Sequence, residues 1–182
     1  MRVYLDNAAT TPLDKEVIKE MCNVMENQFG NPSSIHAHGR EVRSVVEKAR
    51  KTIASLLNTS PAEIFFTSGG TEADNTAIRC GIIDHGITHA ITSKIEHHAV
   101  LHTLEALAYE GIIKLSLVNI NEQGSIDLAH LEELLKTHPK TFVSLMHANN
   151  EIGTLTNIEH VGEMCEQYDA LFHSDTVQTM GH

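Results

Sequence analysis

Residues 64–75 read Ile-Phe-Phe-Thr-Ser-Gly-Gly-Thr-Glu-Ala-Asp-Asn, an apolar run followed by two glycines and a polar segment. The apolar run predicts a strand over residues 64–67, and the segment from Thr71 to Ile83 is compatible with a helix. At such a turn the first helical N–H groups are unpaired and can bind an anion. Gly70 allows close approach, and Thr71 adds a hydroxyl. The segment therefore predicts a phosphate site, although many Gly-Gly turns bind nothing.

Two common nucleotide motifs are absent from this turn. No Gly-Lys-Ser/Thr follows the glycines, which excludes a Walker A loop, and the spacing does not match G-x-G-x-x-G either. The Gly-Gly turn alone does not identify a ligand, so the other polar segments of the chain are needed to interpret it.

The composition is typical of a globular α/β protein. The chain has 182 residues, of which 41% are apolar, enough to form a core. Its formal net charge of −11 argues against a nucleic-acid or anionic-membrane partner. The acidic Asp6 interrupts the N-terminal segment too early for a signal peptide, and no apolar stretch has transmembrane length. We therefore expect a cytoplasmic protein.

Neither the cysteines nor the histidines form a recognisable metal motif. The three cysteines, Cys22, Cys80 and Cys165, lie in predicted helices without a C-x-x-C pair, and we expect reduced, mostly buried thiols. The thirteen histidines include no H-E-x-x-H. The adjacent His97 and His98 would point in different directions on a helix, so we expect no metal site.

Helical and strand patterns alternate along the chain. Apolar periodicity and capping residues predict helices over residues 14–28, 39–57, from 71 onward, 97–110, after a cap at Asp127, and after a capping box formed by Thr156 and Glu159. Strands are predicted over residues 64–67, 89–93, 112–119, 141–146 and 170–173. Five strands separated by helices predict an α/β fold with a mostly parallel sheet and helices on both faces.

Polar clusters follow four of the predicted strands, at residues 67–71, 93–97, 147–151 and 174–178. Ligands of such sheets bind beyond the carboxyl ends of the strands, so these clusters are expected along one edge. An acid such as Asp175 suits a protonated ring nitrogen, and Asn150 or Gln178 suits a phenolic oxygen. His97 can stack on a ring. Singly, each residue is also compatible with a cap or a turn, whereas together they favour pyridoxal 5'-phosphate (PLP).

Six ordered segments resemble cysteine desulfurases of the NifS/IscS type, which belong to the class V aminotransferase group of fold-type I PLP enzymes. The segments are 4–12 (YLDNAATTP), 29–34 (FGNPSS), 66–72 (FTSGGTE), 96–100 (EHHAV), 146–153 (MHANNEIG) and 173–178 (HSDTVQ). The resemblance implies that Gly70 and Thr71 hold the cofactor phosphate. It also implies that His97 stacks on the ring and transfers protons, that Asn150 and Gln178 contact the ring oxygen, and that Asp175 pairs with the pyridine nitrogen.

The resemblance also implies an activity and an organisation. The activity is the PLP-dependent removal of sulfur from L-cysteine, which gives L-alanine and an enzyme persulfide for iron–sulfur cluster and thio-cofactor assembly. Its partners would be sulfur-acceptor or scaffold proteins and a second copy in a homodimer. Residues 1–60 would form a helical arm that contributes to the active-site entrance and small domain, and residues 61–182 the PLP-binding large domain.

The chain departs from the family pattern in its length. Family members are roughly twice as long, and the sequence stops at His182, before the segment expected to supply the Schiff-base lysine. Lys94 does not match that lysine, and none of the three cysteines matches the nucleophile. We therefore expect the 182 residues to be inactive until a C-terminal part completes them. A sibling class V enzyme, such as a selenocysteine lyase or aminotransferase, and a non-catalytic scaffold fragment remain alternatives.

Overall fold

The computed structural model describes residues 1–181, which divide into two compact units. The first unit, Met1–Phe66, contains helix α1 (Lys15–Asn27), helix α2 (Ala37–Leu56) and a short 3-10 helix (Pro61–Glu63). The second unit begins at Thr67 and contains the sheet. Among the described residues, none of the helices combines the length and the apolar character needed to cross a membrane.

Each helix of the first unit starts at a side-chain cap. A carboxylate oxygen of Asp14 accepts a hydrogen bond from the backbone N–H of Glu16 at 2.7 Å, and Nδ1 of His36 accepts one from Gly39 at 3.3 Å. These caps satisfy N–H groups that have no partner within the helix. They explain why α1 and α2 begin within two residues of the predicted positions.

The strand predicted over residues 64–67 is not formed, which corrects the five-strand prediction. In the described part of the chain this segment enters no sheet ladder. The Arg50 guanidinium instead donates to the carbonyl oxygen of Ile64 and lies 4.9 Å from the centre of the Phe66 ring. The local residues favour an extended conformation, but a strand also requires a neighbouring strand to exchange hydrogen bonds.

The second unit alternates helices and strands, as predicted. Its elements are α3 (Gly70–Asp84), β1 (His89–Thr92), α4 (His98–Tyr109), β2 (Lys114–Leu117), α5 (Leu128–Thr137), β3 (Thr141–Ser144), α6 (Ile158–Gln167) and β4 (Leu171–His173). The four strands are parallel and lie in the order β2-β1-β3-β4. The prediction of an α/β fold with a parallel sheet is confirmed.

Helices cover both faces of the sheet because successive strand residues point in opposite directions. Ala90 and Phe142 pack with apolar residues of α3 and α4 in one core cluster. Their strand neighbours Ile91 and Val143 pack with residues of α5 and α6 in a second cluster. The central strands β1 and β3 are buried along their whole length, which is typical of a parallel sheet covered on both sides.

One predicted cap is confirmed and one is wrong. Asp127 caps α5 by accepting a hydrogen bond from His130 N–H at 3.1 Å. Helix α6 is capped by Asn157, whose side-chain oxygen accepts from His160 N–H at 3.1 Å, and not by Thr156. The backbone N–H of Thr156 donates to His147 O at 2.8 Å, and this loop contact delays the helix by one residue.

Candidate functional site

The carboxyl ends of β3 and β4 lie side by side, and the loops that follow them continue the pairing. The backbone N–H of Leu145 donates to His173 O at 3.2 Å, and that of His147 donates to Asp175 O at 3.0 Å. The parallel pairing of β1 with β3 places the polar segment after β1 at the same edge. The predicted clustering of polar residues at one edge is therefore observed for these three strands.

The N-terminus of α3 lies against the loop that follows β4. A methyl group added at Gly70 would lie 2.8 Å from a methyl carbon of Val177, closer than non-bonded carbon atoms approach. The preceding turn is held by Glu72, whose carboxylate accepts hydrogen bonds from the N–H of Ser68 at 2.7 Å and its hydroxyl at 2.6 Å. These hydrogen bonds lower the pKa of Glu72. Gly70 thus brings the helix terminus next to the segment that carries Asp175 and Gln178.

His97 caps α4 and borders the same region. Its Nδ1 accepts a hydrogen bond from the N–H of Ala99 at 3.1 Å, so a neutral ring carries its hydrogen on Nε2. The ring is exposed and lines an open groove of about 410 Å³. Thr71 and Asn75 of α3 line the same groove. The structure therefore brings two of the predicted residues, Thr71 and His97, to a common surface.

An acidic cluster lies beside His97, and one of its members was missed by the sequence analysis. One ligating atom from each of Asp74, His97 and Asp175 lies within 4.8 Å of the others. Asp74 and Asp175 are both buried. This spacing suits a cationic group, either a protonated ring nitrogen or a divalent cation. Asp74 stands one helical turn after Gly70, so helical spacing from the glycine turn was the signal that could have identified it.

Asp74 has a further partner at the end of β4. Its carboxylate lies 3.6 Å from Nε2 of His173, whose Nδ1 lies 2.8 Å from the Ser144 hydroxyl oxygen. These contacts connect Ser144 of β3 to His173 of β4 and His173 to Asp74 of α3, and they fix the position of Asp74 relative to the sheet. His173 and Ser144 were not predicted as site residues, because only the fold brings them close to Asp74.

Glu96 is a buried carboxyl group next to the cluster. Burial raises its pKa to about 7, and the charges of Asp175 and Asp74 act in the same direction. Hydrogen bonds from the N–H of Met146 and the Ser93 hydroxyl oppose the shift. A group with this pKa holds a proton near neutral pH, in contrast to an ordinary glutamate.

Asn150 and Gln178 are placed by the loops that carry them. Asn150 is half-buried and follows Asn149, whose side-chain oxygen accepts hydrogen bonds from two later N–H groups of the loop. Gln178 is exposed, in the turn after β4, where the Asp175 carboxylate accepts from Val177 N–H at 2.9 Å. Both residues thus stand in loops that leave the neighbouring strands β3 and β4.

The cysteines differ from the expectation that most of them are buried. Cys22 and Cys80 are exposed, and only Cys165 is buried. Burial raises the pKa of the Cys165 thiol to about 12, so it is uncharged and unreactive at neutral pH.

The residues at this edge fit the groups of PLP. The α3 terminus offers unpaired N–H groups and the exposed Thr71 hydroxyl for a phosphate, and Gly70 leaves no side chain in the way. Asp175 and Asp74 offer negative charge for a ring nitrogen, and His97 offers a flat exposed ring. The donor set therefore matches a phosphorylated, nitrogen-containing ring.

The chain is similar to known proteins over almost its whole length. The chain is 46% identical over 186 residues to the cysteine desulfurase IscS of Dictyoglomus turgidum, covering 99% of this chain and 46% of that protein. It is 44% identical over 183 residues to the putative cysteine desulfurase IscS 1 of Bacillus subtilis, covering 99% of this chain and 48% of that protein. The chain thus spans about half the length of the curated relatives it matches.

Solved structures show the same likeness. A NifS-like protein superposes with a TM-score of 0.91 at 39% identity, over 98% of this chain and 50% of the other. SspA in complex with cysteine superposes with a TM-score of 0.89 at 34% identity, over 97% and 51%. The aminotransferase class V family profile matches residues 3–182. The chain therefore belongs to the aminotransferase class V family.

Proposed function

We propose that the full-length protein is a PLP-dependent cysteine desulfurase that removes sulfur from L-cysteine and forms L-alanine and an enzyme persulfide. The observation that carries this proposal is the approach of Asp74, His97 and Asp175 to within 4.8 Å at the mouth of α3. Two of these residues stand in segments that resemble NifS/IscS enzymes. The relatives named cysteine desulfurase, at 46% and 44% identity, support the same activity.

Different residues of the chain would bind different groups of the cofactor. The N–H groups at the start of α3 and the Thr71 hydroxyl bind the phosphate, and Gly70 permits that approach. Asp175 pairs with the ring nitrogen and favours its protonated form, while Asn150 and Gln178 contact the ring oxygen. When bound, PLP supplies the electron sink of the reaction.

His97 is the residue that would transfer protons. Its Nδ1 is engaged by Ala99 N–H, which leaves Nε2 to hold or release a proton at the exposed face of the ring. Asp74 would be a positioning residue that adds negative charge next to Asp175. A divalent cation at the same three atoms is a competing occupant, but the N-terminus of α3 and the exposed ring of His97 also suit a phosphorylated ring.

The remaining features follow from the family and are proposals for the whole protein. Residues 1–60 would form an arm at the active-site entrance and small domain, and residues 61–182 the PLP-binding domain. The Schiff-base lysine and the sulfur-accepting cysteine would come from outside these 182 residues. We propose a cytoplasmic homodimer that delivers sulfur to acceptor or scaffold proteins of iron–sulfur cluster and thio-cofactor assembly.

Asp175 should be needed for the desulfurase activity of the full-length protein. We expect the wild type to bind PLP and to release equal amounts of alanine and sulfide when it is given L-cysteine and a thiol reductant. Asp175→Asn removes the negative charge opposite the ring nitrogen and should lower kcat by roughly 10²–10³-fold, the scale of a lost electrostatic contact in an active site. Assays of alanine and sulfide release measure the ratio of the two products and the kcat of each variant.

The matched control is Asp84→Asn, which removes an exposed acid from the far end of α3 and should leave kcat unchanged. Selenide release from L-selenocysteine without sulfide release from L-cysteine would favour a selenocysteine lyase instead. Zn²⁺ binding that requires Asp74, His97 and Asp175, with no PLP binding, would show that the site holds a metal.

A further inference from the structure

Two loops at the candidate site are joined by two hydrogen bonds, and in each of them a side chain of one loop contacts the backbone of the other. The β1 loop comprises residues 93–97, and the β3 loop comprises residues 146–153. Glu96 Oε1 of the β1 loop accepts a hydrogen bond from the backbone N–H of Met146 at 3.1 Å. Asn149 Nδ2 of the β3 loop donates to the backbone carbonyl of Ile95 at 2.7 Å. We call this reciprocal pair of contacts the cross-latch.

Each member of the cross-latch is also fixed within its own loop. The Ser93 hydroxyl donates to Glu96 Oε1 at 2.9 Å. Asn149 Oδ1 accepts hydrogen bonds from the N–H of Glu151 at 2.8 Å and of Ile152 at 3.0 Å. Glu96 and Asn149 are each 7% exposed, so water does not compete strongly for these contacts. The two loops therefore hold one defined arrangement.

The members of the cross-latch stand directly before two residues proposed to contact the cofactor. Glu96 precedes His97, and Asn149 precedes Asn150. His97 and Asn150 lie in loops after neighbouring strands, and the pairing of β1 with β3 ends at Ile91 and Val143. The cross-latch continues the connection between the two segments beyond the sheet, up to the proposed contact residues.

We propose that Glu96 and Asn149 are positioning residues that set the separation of His97 and Asn150 and thereby preform the cofactor site. This inference rests on the proposed function. Neither side chain needs to touch the cofactor, because each acts through the backbone of the opposite loop. Contacts of this supporting kind hold functional groups in their productive geometry.

The hydrogen-bond pattern shows which feature of each side chain is needed. Glu96 uses only Oε1, and its Oε2 is buried without a hydrogen-bond partner among the described residues. Glu96→Gln keeps the accepting oxygen and should preserve the cross-latch, whereas Glu96→Ala removes it. Asn149→Asp keeps the oxygen that accepts from Glu151 and Ile152 but cannot donate to Ile95. These variants separate the contact between loops from the folding of each loop.

The first experiment measures amide hydrogen exchange in the full-length apoprotein, with no cofactor present. The N–H of Met146 should exchange at least ~10-fold faster in Glu96→Ala, because its acceptor is lost, and at the wild-type rate in Glu96→Gln. Unchanged exchange in Glu96→Ala overturns the cross-latch. Thermal unfolding checks that each variant is folded, and the conservative variants remain informative if Glu96→Ala is not.

The second experiment measures PLP affinity by absorbance titration, together with the visible circular dichroism of the bound cofactor. Glu96→Ala and Asn149→Asp should raise Kd by roughly 10–100-fold and weaken the dichroism, since small displacements of positioned groups have effects of this size. Glu96→Gln should stay within about 3-fold of wild type. Tyr168→Phe, which removes the hydrogen bond from the Tyr168 hydroxyl to Glu132 between α6 and α5, away from both loops, is the matched control.

The two experiments distinguish the ways in which the proposal can fail. PLP binding with the same Kd in wild type, Glu96→Ala and Asn149→Asp overturns the positioning role alone. A folded wild-type protein that binds no PLP overturns the proposed function and the positioning role with it. A higher Kd in Glu96→Ala that Glu96→Gln does not share supports the proposal, because general damage at this position would affect both variants.

Discussion

Two opposing effects act on the charge of the Glu96 carboxyl group. Its Oε1 is needed as a hydrogen-bond acceptor between two loops, while its burial beside Asp74 and Asp175 opposes a negative charge. A pKa of about 7 is the result of these effects. Because the unfolded chain would give Glu96 an ordinary pKa of 4.5, its proton binding changes on folding and the stability becomes pH-dependent.

We predict that Glu96→Gln removes this pH dependence. Between pH 4.5 and 7 the folded wild type binds more protons at Glu96 than the unfolded chain does, so the contribution of Glu96 to stability falls as the pH rises through this range. The uncharged variant has no such loss. Its free energy of unfolding should therefore exceed that of wild type by a margin that grows by up to about 3 kcal/mol towards pH 8.

The measurement is urea unfolding of the apoproteins at several pH values. The matched control is Glu122→Gln, an exposed acid in a turn, which should show no such growing margin. A margin between Glu96→Gln and wild type that is constant from pH 4.5 to 8 would contradict the raised pKa of Glu96.

The residues of the site were only partly predictable from the sequence. His97 and Asp175 could be identified because they stand in polar segments that follow apolar strand patterns and that resemble family segments. Asp74 and Glu96 were missed as site residues. Asp74 is marked only by its spacing of one helical turn from Gly70, and Glu96 is one of many acids, with no local pattern that reveals its burial. Their roles depend on the contacts with His173 and Met146, which only the fold creates.

At the scale of elements, α3 lies close to the sheet because Gly81 has no side chain. A methyl group added there would lie 2.8 Å from the buried ring of Phe142 and 3.2 Å from Leu171. The glycine weakens the helix, since alanine is preferred in helix interiors by roughly 0.5–1 kcal/mol. The absence of a side chain at Gly81 nevertheless allows the close packing that places the α3 terminus at the sheet edge.

We predict that Gly81→Ala destabilises the protein by about 1–3 kcal/mol, because overpacking against Phe142 exceeds the gain in helix propensity. Gly162→Ala is the matched control, since that glycine also lies inside a helix but its nearest neighbour would be 3.9 Å away. The control should be neutral or stabilising by up to about 1 kcal/mol. Equal and stabilising effects of both substitutions in urea unfolding would contradict the proposed packing of α3.

The elements themselves were predicted well where the pattern was local. The buried strands β1 and β3 and the Asp127 cap follow from short apolar runs and a single side chain. The strand over residues 64–67 and the Thr156 cap were wrong because each depends on a partner elsewhere. The first lacks a neighbouring strand among the described residues, and the second is displaced by the contact of Thr156 with His147.

At the scale of the whole molecule, a parallel sheet gathers residues that are far apart in sequence. Asp74, His97 and Asp175 are separated by 23 and 78 residues but meet within 4.8 Å. The general rule for ligands at the carboxyl ends of parallel strands was enough to predict their shared edge. The rule could not predict which helix terminus reaches that edge, because this depends on packing at Gly70 and Gly81.

The most direct test is a crystal structure of the full-length protein with PLP bound. We predict that the phosphate lies at the N-terminus of α3, within hydrogen-bond distance of Thr71, and that the ring lies beside His97. The Asp175 carboxylate should lie about 2.7–2.9 Å from the ring nitrogen, as in other charge-assisted hydrogen bonds. PLP bound elsewhere, or a ring nitrogen that faces away from Asp175, would contradict the proposed cofactor site.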